Sequence, residues 1–127
     1  MGKSFRNLDV WQRAMELSVA VYKLTSTFPE SEKFGLVSQL RRAAVSIPSN
    51  IAEGSGRATV GEYIQFLGHA QGSAFEVETQ LELARMFAIC APDPLRRPAE
   101  LCEEVGKMLH AMILTLRTRS QHRPPST

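Results

Sequence analysis

The sequence predicts an all-α fold, an antiparallel up-down four-helix bundle. Three observations carry that reading. Apolar residues recur at spacings of three and four through four long segments. Short stretches rich in proline, glycine and serine separate those segments. None of them alternates apolar and polar residues as a half-buried strand does. The 127 residues fit one domain, expected as a bundle over residues 1–119 followed by a flexible tail over 120–127.

The first helix is expected over residues 9–26, with Asp9 as its N-cap. Trp11, Ala14, Met15, Ser18 and Tyr22 make one stripe, which Val10, Leu17, Val21 and Leu24 widen. Phe28-Pro29 ends it, because the residue before a proline disfavours helical angles.

The second helix is expected from Pro29 to Gly54, with Ser31 as a weak cap. Leu36, Leu40, Ala43, Ile47, Ile51 and Gly54 fall on one narrow face. Pro48 has no N–H for the carbonyl of Ala44, so a kink is expected there, with Ser46 or Ser49 bonding a freed carbonyl. Val37, Ala44, Val45 and Ala52 add a second apolar side, and covering it by self-association is the expected relief. Gly54-Ser55-Gly56 marks the stop.

The third helix opens at Thr59 with Glu62 three residues on, a capping-box spacing, and is expected to reach Ala91. Tyr63, Leu67, Ala70, Ala74, Val77, Leu81, Ala84 and Ala88 form a coiled-coil-like seam. Gly68 and Gly72 imply close approach of another helix backbone. After the Ala91-Pro92-Asp93-Pro94 turn, a fourth helix begins at Pro94 or Pro98, with Leu101, Val105, Met108, Met112 and Leu116 as its seam.

Several function classes drop out on composition and spacing. Net charge is +2, too small to mark a nucleic-acid protein by charge alone. No apolar run approaches the ~20 residues that cross a bilayer, and the N-terminus lacks the apolar stretch of a signal peptide, so a cytoplasmic location without membrane contact is expected. Arg6 stands where a myristoylation motif needs Ser or Thr. Cys90 and Cys102 flank the proline-rich turn and are expected as reduced thiols rather than a disulfide or a zinc site. A di-iron bundle needs Glu-x-x-His pairs, but Phe66 precedes His69 and Lys107 precedes His110 at that spacing. Neither a serine nucleophile elbow nor a phosphate-cradling loop is present. No catalytic residue, metal or cofactor is therefore predicted, and the chain is expected not to be an enzyme.

A polar row of Gln39, Arg42, Ser46, Asn50 and Glu53 runs about a quarter-turn from the apolar face of the second helix. It reads as a set of bonds to a neighbouring helix, with His69, Glu76 and Gln80 as the expected partners. An acid-and-electrophile pair of Glu53 and Arg42 is the weaker reading, since about three turns separate them. Charge is segregated along the chain: residues 33–61 carry +3, residues 62–91 carry −3, and the piece from Thr115 carries +3 with no acid. The second and third helices should attract each other, and the C-terminal arginines either bind phosphate or complement the helix dipole. Gly54-Ser55-Gly56-Arg57 reads first as an interhelix turn and second as an anion site.

Several ordered motifs resemble a known family. They include Leu8-Asp9-Val10-Trp11-Gln12-Arg13-Ala14, Tyr22-Lys23-Leu24-Thr25, and the run from Gln39 through Arg41-Arg42 and Ile47-Pro48-Ser49-Asn50 to Glu53-Gly54. Gly72-Ser73-Ala74 and Glu78-Thr79-Gln80 continue it. The chain resembles the small four-helix-bundle proteins encoded within intervening sequences of bacterial large-subunit ribosomal RNA genes. That resemblance implies a ring-like homopentamer. The family is similar in turn to the accessory variability protein of diversity-generating retroelements, a basic pentameric barrel that binds a reverse transcriptase and nucleic acid. This chain departs from that relative in its acidic third helix.

The expected function is a non-enzymatic oligomer that binds structured RNA or a nucleic-acid-processing protein. Arg41, Arg42, Arg57, Arg117 and Arg119 are the expected phosphate contacts, provided they face solvent. The alternative is a protein-interaction scaffold with no nucleic-acid role.

Overall fold

Four α-helices carry the fold, and no strand occurs among the described residues. The structure, a computed structural model, describes residues 4–121. Helix α1 spans Asp9–Thr25. Asp9 is its first helical residue rather than its cap, which falls at Leu8 with no side-chain bond. A carboxylate in the first turn still favours the positive end of the helix dipole. A 3-10 turn at Phe5–Asn7 precedes α1, and the Phe5 ring meets Trp11 edge-on at 5.3 Å.

The buried face of α1 is Val10, Ala14, Leu17, Val21 and Leu24. The expected stripe is thus rotated: Met15 and Tyr22 are exposed, and Trp11 and Ser18 are half-buried. The aliphatic residues that widened the stripe form its centre.

The segment after Pro29 is not one continuous helix. A 3-10 turn, Glu30–Glu32, and a π-helical stretch, Lys33–Val37, come first, with non-helical angles at Gly35 (φ −103°, ψ −109°). Helix α2 then spans Ser38–Ser55 and runs unbroken through Pro48. The carbonyl of Ala44 accepts a hydrogen bond from the Ser18 hydroxyl of α1 at 3.0 Å. Neither Ser46 nor Ser49 takes that role: Ser49 donates to Val45 O, and the Ser46 hydroxyl pairs with that of Ser73.

The second apolar side of α2 is mostly covered within the chain. Val37 and Ala44 are buried and Ala52 is half-buried, which leaves Val45 exposed. The expected exposure of part of this side is thus confined to Val45, since the Ala44 region is covered by α1. Exposed apolar side chains stand elsewhere, among them Met15, Val19, Phe34, Phe75 and Phe87.

Helix α3 spans Val60–Met86 and is capped by Thr59, whose hydroxyl accepts from Glu62 N at 3.1 Å. It ends five residues before the expected Ala91. Ile89 N bonds Ala84 O and Ala88 N bonds Arg85 O, both at 3.1 Å, while Ala88 turns left-handed at φ 53°. That pair of bonds is a Schellman stop with alanine in the usual glycine place. Gly68 and Gly72 do not mark a close approach: a Cβ at either would meet nothing within 4 Å. Gly54 does, since a Cβ there would lie 2.8 Å from Phe66 Cβ and 3.1 Å from Tyr63 Cδ1.

Helix α4 spans Asp93–Gln121, two residues into the segment expected as tail; residues 122–127 lie outside the described ones. Its buried face is Leu95, Leu101, Cys102, Val105, Leu109 and Ile113, with Met108, Met112 and Leu116 packed at the margin. Helix α1 packs on α2 and α4, and α3 packs on the same two, so the four enclose one core. Leu17, Leu40, Ile47, Ile51, Leu67 and Leu109 are fully enclosed there.

Candidate nucleic-acid interface

The five candidate arginines meet different surroundings. Arg41 leaves α2 toward α1, where its Nε donates to Thr25 Oγ1 at 2.8 Å. Its guanidinium lies 4.5 Å from the centre of the Tyr22 ring. Arg41 is half-buried and committed to holding α1 against α2. Arg42, one residue on, is exposed and has no ion pair among the described residues.

Arg57 stands past the end of α2. Its guanidinium stacks over the Phe66 ring at 4.5 Å and reaches Glu53 Oε1 at 3.6 Å. Both contacts leave it exposed. Arg117 and Arg119 are exposed near the end of α4, where cations also complement the dipole.

The polar row divides into two groups. Ser46 and Ser73 share a hydrogen bond of 2.9 Å across the α2–α3 contact, and Gln80 Nε2 donates to Gln39 Oε1 at 3.4 Å. These two links behave as expected of bonds between helices. Asn50 instead turns back into its own helix, donating to Ser46 O and Oγ at 2.8 and 3.0 Å. Glu53 pairs with Arg57, and His69 sits edge-on to Phe66 at 5.9 Å, so neither bridges the two helices. Ser73 is the partner that sequence reasoning missed. Its signal is the spacing of Ser73, Glu76 and Gln80, three and then four residues apart on one side of α3.

Gln39, Arg42, Ser46, Ser73, Glu76 and Gln80 line a pocket of about 230 Å³ between α2 and α3. The expected charge attraction between these two helices is not made by direct contact. Among the described residues, ion pairs between helices join α1 to α4: Arg13 to Glu104 at 3.0 Å, and Arg97 to Glu16 at 3.9 Å.

Between α3 and α4 runs an apolar groove with Cys102 at its floor and Glu78, Glu82 and Glu103 on its rims, in two adjoining parts of about 510 and 370 Å³. The cations beside it, Arg85, Arg96 and Lys107, are each paired with a nearby acid. This face does not suit phosphate. Both cysteines are free; burial raises the pKa of the Cys90 thiol and pushes that of Cys102 up to about 12. Among the described residues, no three His, Cys, Asp or Glu side chains converge to hold a metal, and no helix is long and apolar enough to cross a membrane.

Comparison with known proteins places this geometry. A solved structure with the same fold is that of a protein of unknown function from the S23 ribosomal protein family of Bacteroides thetaiotaomicron VPI-5482. It is 25% identical, with a TM-score of 0.74 over 82% of this chain and 97% of that one. No functionally curated protein matches the chain. The family model described as 23S rRNA-intervening sequence protein matches residues 6–111. The chain therefore belongs to the 23S rRNA-intervening sequence protein family.

Proposed function

We propose that this protein is a non-enzymatic, cytoplasmic, self-assembling bundle that binds structured RNA through its exposed arginines. The observation that carries the reading is the end of α4, where Arg117 and Arg119 stand exposed without an ion pair among the described residues. A family named for 23S rRNA supports the choice of RNA as the polyanion.

Helix direction supports a shared basic end. Residues 71–75 of α3 line the same groove as residues 102–110 of α4, and residues 81–85 line it with residues 92–99. An antiparallel bundle explains both pairings. It carries Arg117 and Arg119 to the end where Arg57 rests on Phe66. Arg42 lies about 20 Å away along α2 at 1.5 Å per residue. RNA would then track two patches rather than one.

Assembly into a homopentamer multiplies each patch around a ring. Met15 and Val19 on α1, Val45 on α2 and Phe75 on α3 are among the exposed apolar side chains that assembly could cover. The test pairs native mass by light scattering with RNA binding at several salt concentrations. A mass near five chains, and affinity that falls steeply with salt, are expected, because neutralised phosphates release counterions. Arg117→Glu with Arg119→Glu should weaken binding and leave helicity intact. Binding that ignores salt would overturn the reading.

A second reading, a protein-interaction scaffold without nucleic-acid binding, draws on the apolar, acid-rimmed groove between α3 and α4. It expects no retention of any RNA and co-purification of a protein partner.

A further inference from the structure

We infer that the groove between α3 and α4 takes the outward ridge of α1 from a second copy of this chain, so that copies join head to tail. The inference rests on the self-assembly reading and names the two surfaces that meet. The ridge is a second seam on α1. Gln12, Met15, Val19 and Tyr22, with Ser26 at the C-cap, recur in steps of three and four, and all five are exposed. The middle of the row is apolar, with Met15, Val19 and Tyr22 at 41%, 52% and 45% exposure, and no charge interrupts it. Packing inside the chain does not use this row, since α2 and α4 cover the other side of α1.

The groove has a matching length and floor. Its two parts share Glu78, Cys102 and Glu103, so they form one channel. On α3 it runs from Gln71 to Arg85, about 21 Å at 1.5 Å per residue, and the ridge over residues 12–26 spans the same distance. Ala74, Leu81, Leu95 and Cys102 line it, and Phe75 stands 59% exposed on its lip. Along α4 it is bordered by the small residues Ala99 and Gly106, and a Cβ on Gly106 would meet nothing within 4 Å. A third helix fits such a channel with anchors three and four residues apart.

Charge favours this occupant. Among the described residues, Glu82 is paired with Arg85, Glu103 with Lys107, and Arg96 with Asp93. Glu78, midway along the channel, has no ion pair among them. Beside the ridge, Arg13 and Glu16 are paired, and Lys23 has no ion pair among the described residues. Lys23 is one turn beyond Val19, and Glu78 is near enough to Cys102 to raise its pKa. Seating Val19 over Cys102 therefore brings the lone base to the lone acid. Because α1 packs on α2 and α4 and sits diagonally from α3, ridge and groove face different ways on one copy. Each joined pair keeps one free ridge and one free groove, a heterologous contact that repeats.

The experiment is native mass by light scattering on the full chain and two variants, Val19→Arg on the ridge and Gly106→Arg in the groove, with helicity checked by circular dichroism. The wild-type chain is expected to assemble and each variant alone to run as a single chain. An equimolar mixture of the two variants is expected to give a two-chain complex, because one keeps its groove and the other its ridge. Independently, Lys23→Glu and Glu78→Lys should each raise the concentration for half-assembly about tenfold, and both changes in one chain should restore it. Variants that keep the wild-type mass overturn the head-to-tail contact and leave self-assembly standing. Single-chain variants that fail to pair on mixing also overturn it. If Gly106→Arg loses helicity, the charge reversals decide, and no restoration in the double variant overturns the contact. A wild-type chain that stays single overturns both the contact and the self-assembly reading, and leaves the groove to a helix of another protein.

Discussion

The hydroxyl of Ser18 on α1 donates at 3.0 Å to the carbonyl of Ala44 on α2, the carbonyl that Pro48 leaves without its helical N–H. Ala44 is fully enclosed, so water is a poor substitute. Ser18→Ala should therefore destabilise the fold by about 1–3 kcal/mol, the usual cost of an unmet buried acceptor. In a Pro48→Ala background the helix supplies its own donor, and the same change should cost less. Urea unfolding of the four chains in this cycle checks it; equal costs in both backgrounds would show the bond to be incidental.

Ala88 holds φ 53° to close the Schellman stop of α3. A Cβ in the left-handed region is unfavourable by about 1–2 kcal/mol. Ala88→Gly should raise stability by about 1 kcal/mol and melting by a few degrees. Calorimetry on the purified variant reads this directly.

Three glycines should respond in opposite directions. Gly54→Ala pushes a methyl into Phe66 and Tyr63 and should cost about 1–3 kcal/mol, less the gain in helix propensity. Gly68→Ala and Gly72→Ala meet open space and should each add about 1 kcal/mol. Native mass belongs beside the unfolding curves. If either of the last two changes lowers the mass, a second copy packs against that side of α3.

Cys102 lies buried on α4, with its thiol donating to Ala74 O at 3.2 Å. Burial, and then the nearby Glu78 carboxylate, push its pKa from 9.0 up to about 12. The folded chain thus holds this proton more tightly than the unfolded one. That contribution is complete below pH 9.0 and fades as pH rises toward about 12. Unfolding midpoints should drop along this alkaline limb, and Cys102→Ala should flatten the drop. Alkylation should modify half-buried Cys90 first and reach Cys102 only as the bundle opens.

How much of this was legible varies by element. The α3 seam was, because Leu67, Ala70, Ala74, Val77, Leu81 and Ala84 recur in steps of three and four, and all six are buried. The inward face of α1 was not. Two apolar stripes lie side by side there, and only the packing of α2 and α4 decides which turns inward. The end of α3 was hidden because alanine, not glycine, takes the left-handed place. At the candidate site, the links from Ser46 and Gln39 to α3 follow from the polar row. The attachment of Arg41 to Thr25 and Tyr22 depends on a contact between helices that local spacing does not encode. Equally hidden was the pocket, which exists only once Gln80 is buried beside Arg42 and Glu76.

The two sides of the bundle are joined by different kinds of bond. The polar links between α2 and α3 are uncharged, Ser46 to Ser73 and Gln80 to Gln39, and screening ions have little hold on them. Those between α1 and α4, Arg13 to Glu104 and Arg97 to Glu16, are partly or fully exposed ion pairs, each worth at most about 1 kcal/mol. Added electrolyte can therefore soften one seam slightly while the architecture stays closed. In a salt titration of RNA binding, opening of the four-helix core is therefore not the expected cause of a lost signal.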